Sequence, residues 1–178
     1  MKTVTGRVAI GRDDARADET KPAPAAQYES LDEFLEALRA VSQQYDVLLQ
    51  AFDARYIAGT AHLRAALEHA KRSMARGENV ADELAVEVLL YAAGRRQIDR
   101  AMELGLGTGD QSVIVLLAGD RETEAATAVR DLIEPGPVEP DEAVIAEYFE
   151  ITPAERRATT GDLADLVCER VALLDVER

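Results

Sequence analysis

Asp82–Leu104, DELAVEVLLYAAGRRQIDRAMEL, is the stretch around which the chain is organised. At 100° per residue, Leu84, Val88 and Tyr91 share one side of a helix, Leu89 and Ala93 lie on another, and Val86 and Leu90 cover a third. Only Glu87 interrupts this apolar surface. A helix apolar on nearly all sides is buried among other elements or covered on one side by a partner chain. Gly94-Arg95-Arg96-Gln97 then changes the pattern. Beyond it, Ile98, Ala101 and Met102 form a narrow apolar stripe, with Arg96 and Arg100 stacked at i, i+4 on the far side. If Gly94 breaks the helix, the next segment begins near Arg95, and its free amides, dipole and two guanidiniums make an anion site. The alternative is a glycine cap followed by solvated arginines paired with Asp99 and Glu103.

Upstream, Gly59-Thr60 opens a helix to Arg76 with Leu63, Ala66, Leu67, Ala70 and Met74 inward, Arg64 and Lys71 outward, and Gly77 as a left-handed cap. Val47–Phe52 is short, apolar and bounded by aspartates, which predicts a central strand. Ser30-Leu31-Asp32-Glu33 is a capping box for a helix to Tyr45 that buries Leu31, Phe34, Leu35, Leu38 and Val41. Lys2–Ile10 has period-two positions at Val4, Gly6 and Val8 and reads as a strand. Gly11–Glu29 carries too little apolar content to pack and is expected to be a mobile loop. Downstream, Gly105–Gly109 is a turn and Ser112–Ala118 a buried strand. Helices follow at Arg121–Ile133, Asp141–Phe149, from Thr152-Pro153 and from Gly161-Asp162, the last with Leu163, Leu166, Val167, Leu173 and Leu174 as its core stripe. A Pro-rich connection spans Glu134–Asp141. The order predicts one α/β or α+β domain over residues 1–178, with a small mixed or antiparallel sheet packed with several helices.

The composition is 47% apolar with 4% aromatic residues, which argues for a core of Leu, Val, Ile and Ala rather than for global disorder. Neither a membrane-length apolar run nor an apolar signal region after Met1 is visible, and a single cysteine, Cys168, rules out an intramolecular disulfide framework, so a cytoplasmic protein is expected. The net charge of −14 taken alone discourages nucleic-acid binding. Its distribution says more. From Arg55 to Arg100, eight basic residues outnumber six acidic ones, so a window of +2 sits in an otherwise acidic chain. Two readings remain open: a halophile-type chain that acidifies every available surface around this core, or cationic surface retained where an anion binds.

Catalytic motifs are absent. Gly105, Gly107 and Gly109 follow a helix and open a strand, the reverse of a dinucleotide-binding turn. His62 and His69 are too widely spaced to share a metal on one helical face, and they border the apolar stripe instead. An enzymatic or small-molecule-binding α/β domain using the Gly105–Gly109 turn or His62 and His69 stays as the alternative to a binding protein.

Three segments, FDARYIAGTAHLRAALEHA (Phe52–Ala70), EVLLYAAGRRQIDRAMELG (Glu87–Gly105) and ERVALLD (Glu169–Asp175), come in one order and spacing. In them the chain resembles the small kinase-binding subunit of the KEOPS complex, the TPRKB-like family, as a halophile-type acidic member. The resemblance implies a non-catalytic adaptor without cofactor or metal. It implies docking on the complex's kinase/ATPase subunit and binding of tRNA, including its single-stranded CCA end, in support of threonylcarbamoyl modification of the adenosine beside the anticodon; DNA and membranes are not expected partners. Combined with the charge window, it places RNA contacts at Arg95, Arg96, Gln97 and Arg100, with Arg64 and Lys71, and expects an apolar pocket for a base nearby. The kinase-docking surface is unassigned.

Overall fold

The N-terminal period-two segment lies inside a four-stranded sheet. The computed structural model describes residues 1–11 and 26–176, so most of the expected 11–29 loop lies outside the described residues. Strand β1 (Lys2–Ile10) pairs antiparallel with β3 (Gly109–Ala118), which pairs antiparallel with β2 (Leu48–Asp53). The order is β2-β3-β1-β4, with β4 reduced to Glu134–Pro135, and the fold is therefore α+β with an antiparallel sheet.

The sequence predicts only a Pro-rich connection over Glu134–Asp141. In the structure Glu134–Pro135 lies antiparallel to β1 at Gly6 and Arg7. Proline lacks an amide donor and is tolerated at a sheet edge. Gly6 is the reason the segment fits: a Cβ there would overlap the Glu134 carbonyl oxygen. Its place in the alternation marks a close backbone approach rather than an apolar side chain. Gln27 and Tyr28 cover the end of β1, both donating their amides to the Ala9 carbonyl, and Gly11 donates to the Tyr28 carbonyl at 2.8 Å.

The chain divides into two compact units, one of residues 1–54 and 106–138, the other of residues 55–105 and 139–178. In the first, α1 (Leu31–Tyr45) and α5 (Glu122–Leu132) pack together over the sheet. Val4, Val8, Val113, Val115 and Leu117 meet Phe34, Leu38, Ala125, Ala126 and Val129 in its core. The predicted cap starts α1: the Ser30 hydroxyl accepts from the Glu33 amide. The Glu33 carboxylate returns to the Glu29 amide at 2.7 Å, one residue further back than the usual box.

The second unit is helical. Helix α2 (Thr60–Arg76) packs on α3 (Leu84–Ala93) and α8 (Leu163–Leu173), and α3 also contacts α4 (Ile98–Ala101). Gly77 ends α2 at φ 68, in the left-handed region expected of it. Helix α6 (Glu142–Tyr148) is capped by Asp141, and α7 (Pro153–Ala158) carries proline at its start and a Thr152–Glu155 capping box. Ile145, Phe149, Ile151, Leu163, Leu166 and Val167 form its separate apolar cluster. Leu173, predicted inward, is 45% exposed; Val171 takes the inward place on α8. Among the described residues, no helix is long and apolar enough to cross a membrane.

Candidate functional site

Helix α3 is as buried as its sequence predicts, with Glu87 through Ala93 all inaccessible. Glu87 is buried rather than solvent-facing because it has work for its charge: one carboxylate oxygen accepts from the Val80 and Ala81 amides at 3.0 and 2.9 Å. Bonds of this type satisfy a carboxylate that burial alone would penalise. The other polar anchor is His62 on α2, fully buried. Its Nδ1 accepts from the Ala58 amide at 3.2 Å, and its Nε2–H donates to the Ala92 carbonyl at 2.7 Å. Burial, opposed by the Ala92 bond, pushes its pKa down to about 4, so the ring is neutral. Both nitrogens are occupied by backbone, which makes His62 a structural tie between α2 and the end of α3. No cluster of metal-ligating side chains is found among the described residues.

Gly94 ends α3 with φ 59; its amide and that of Arg95 close back on Tyr91 and Leu90 carbonyls. This Schellman-type cap consumes the Arg95 N–H. The expected helix start at Arg95, with free amides around an anion, is therefore absent: α4 begins at Ile98 and spans four residues. The expected i, i+4 stacking of Arg96 on Arg100 fails for the same reason, since residues 94–97 are not helical. Ile98 and Met102 are also exposed, at 47% and 58%, and only Ala101 of the predicted stripe is buried.

The cap turns the adjacent arginines to different neighbours. Arg95 donates to the Tyr148 carbonyl at 3.1 Å and to Glu150 at 2.9 Å, and its guanidinium lies 5.9 Å from the Tyr148 ring centre. Arg96 donates to the Leu174 carbonyl at 2.9 Å, at the end of α8. Nearby, Asp175 accepts from the Tyr91 hydroxyl at 2.7 Å and sits 2.8 Å from His69 Nδ1. Burial raises the Asp175 pKa, but the bonds from Tyr91 and His69 outweigh it and hold the group below its ordinary value. Arg96 thus helps tie down the chain's C-terminal turn.

Arg95 and Arg100 meet at a pocket of about 360 Å³, lined also by Tyr56, Glu103, Val144, Glu147, Tyr148 and Glu150. Arg100 pairs with Glu103 at 3.2 Å. Tyr148 donates its hydroxyl to the Arg100 carbonyl at 2.9 Å, joining α6 to α4, and packs edge-on against Tyr56 with centroids 5.4 Å apart. Burial, reinforced by the Glu103 charge, pushes the Tyr148 pKa up to about 12, so this hydroxyl keeps its proton at any physiological pH. Arg96 lines a different pocket, with Glu78, Tyr91 and Asp175. Gln97 is exposed, as are Arg64 and Lys71 on α2, and none of the three lines the Arg95 pocket. Of the six expected contact residues, the structure therefore brings Arg95 and Arg100 to one cavity.

Tyr56 and Tyr148 were not among the expected site residues. Their signal was scarcity: the chain has five tyrosines, and two of them line this one pocket. The arrangement offers flat aromatic surface, guanidinium donors and carboxylate acceptors within one small volume. Such a set suits a ligand with a planar ring, negative charge and hydrogen-bond donors.

A search of curated proteins found no match for the chain. A family model described as kinase-binding protein CGI-121 matches residues 29–175, which includes α1 through α8, the Gly94 cap and Asp175. The match covers most of the sequence, and the chain belongs to the CGI-121 family of kinase-binding proteins.

Proposed function

We propose that the protein is a non-catalytic, cytoplasmic KEOPS subunit that binds the complex's kinase/ATPase subunit and recruits tRNA through its CCA end. In that role it supports threonylcarbamoyl modification of the adenosine next to the anticodon, with the chemistry performed by other subunits. Family membership across residues 29–175 supports the kinase-binding half of this reading. The observation that carries the RNA half is the convergence of Arg95 and Arg100 on a cavity walled by Tyr56 and Tyr148.

The balance of forces favours such a site over a broad basic patch. A chain at −14 repels a polyanion at long range. In the concentrated salt that so acidic a surface suits, the Debye length falls to roughly 3 Å at 1 M, and counterion release loses its force. Close contacts then have to supply affinity: base stacking, and guanidinium bonds to phosphate. Arg95 and Arg100 provide those contacts in the pocket, while Arg64, Lys71, Arg96 and Gln97 are proposed as further RNA contacts outside it. Arg95 reaches RNA by exchanging its bond to Glu150, whose side chain is 73% exposed while that of Arg95 is 31% exposed.

Two measurements test the reading. The purified protein should retain a kinase of the partner complex through co-purification in molar salt. A gel shift should show tighter binding of intact tRNA than of the same tRNA trimmed of its CCA. Equal binding of the two tRNAs refutes the CCA assignment, and loss of the kinase refutes the adaptor role.

A further inference from the structure

The Arg95 pocket contains one carboxylate that no ion pair explains. Glu150 holds Arg95 and Glu103 holds Arg100. Among the described residues, no hydrogen bond or ion pair engages the Glu147 carboxylate, which lines the same cavity from α6. An unengaged acid beside two arginines is out of place in a simple phosphate site, because it repels the phosphate it would help to seat. It fits a ligand that brings hydrogen-bond donors together with its negative charge.

A nucleotide with an amino-bearing base has that combination. The exocyclic –NH₂ of cytosine, adenine or guanine donates to a carboxylate, the ring stacks on tyrosine and the phosphate takes the guanidiniums. Uracil has no amino group and flanks its single ring N–H with two carbonyl oxygens, which a carboxylate repels. A cavity of about 360 Å³ lies in the size range of small-ligand sites. We propose that Glu147 reads the exocyclic amino group of a base seated against Tyr56 and Tyr148, and that the pocket thereby discriminates against uridine. The inference rests on the RNA-binding reading above and adds to it a specificity-determining residue.

The experiment uses the whole chain in molar KCl with three forms of one tRNA: ending in CCA, trimmed of CCA, and ending in UUU. The wild-type protein should prefer CCA over UUU by about tenfold, the size of one good base-edge contact. Glu147 is exposed on its helix, so Glu147→Ala should leave the melting curve unchanged. It should also remove the preference, giving equal affinity for the two ends. Glu147→Gln, which keeps a carbonyl acceptor, should retain it. Tyr56→Ala should weaken both ends alike, because stacking tolerates any base. The proposal is overturned if the wild type binds CCA and UUU equally, or if Glu147→Ala discriminates as the wild type does. Equal binding of the intact and trimmed tRNAs overturns the CCA-end reading on which the inference rests, a separate outcome from either of these.

Discussion

Acidification should destabilise this protein through His62. The ring is neutral in the fold with a pKa of about 4, against an ordinary 6.5. A depressed histidine pKa means that the unfolded chain binds the proton first. Stability is therefore complete above about pH 6.5, falls as pH drops toward 4, and levels off below. At about 1.4 kcal/mol per pKa unit, the loss over that window is roughly 3 kcal/mol, a large share of the 5–15 kcal/mol that holds a typical domain. Charge repulsion in an acidic chain weakens over the same range and works in the opposite direction, so the measurement has to be differential. Urea unfolding at a series of pH values from 4 to 8, in fixed molar KCl, should compare the wild type with His62→Gln. Glutamine keeps a donor for the Ala92 carbonyl but leaves the Ala58 amide without its acceptor, at a cost of about 1–3 kcal/mol at neutral pH. The wild-type curve should fall more steeply than the variant's by up to one proton, about 1.4 kcal/mol per pH unit, between 6.5 and 4. Parallel curves would refute the reasoning. With two histidines in the chain, NMR titration of the ring protons gives an independent check, and a His62 resonance that titrates near 6.5 refutes it without any variant.

The remaining expectations concern the α3 helix and its cap. Glu87→Ala should cost about 2–4 kcal/mol in urea unfolding, because it strands the Val80 and Ala81 amides, and hydrogen exchange should quicken at residues 79–83. Gly94→Ala should cost about 1 kcal/mol through backbone strain alone: φ is 59, yet the nearest atom to an added Cβ, on Arg170, is 3.6 Å away. Arg95→Ala and Arg96→Ala should separate in a thermal melt and a tRNA gel shift. Arg95→Ala should mainly weaken CCA binding; Arg96→Ala should mainly lower the melting temperature by freeing the Leu174 turn.

Much of the fold was legible because its signals are local. The Ser30 cap, the α2 limits at Thr60 and Arg76, the Gly77 cap and the α3 burial all follow from spacing within a few turns. What escaped depends on contacts distant in sequence. Glu134–Pro135 becomes a strand only because Gly6, far along the chain, leaves room for it. The arginine pair illustrates the limit on the site side. Sequence identifies Gly94 as a helix breaker, but whether a new helix starts at once depends on whether the Arg95 amide is free, and the cap uses it. Tyr148 reaches the Arg100 carbonyl across 48 residues, a pairing that no periodicity encodes.

The short β4 strand has a consequence beyond packing. An uncovered strand edge offers unpaired amides and carbonyls that can recruit a strand from another chain and seed aggregation. The free edge of β1 is covered by two unrelated pieces, Glu134–Gly136 in the middle and Gln27–Tyr28 at the end. The middle piece ends propagation, since Pro135 has no amide to offer a further strand. A side chain at position 6 would push that piece away and open the edge. Such a variant would lose solubility on storage or heating, and would do so even where its kinase and tRNA contacts were untouched.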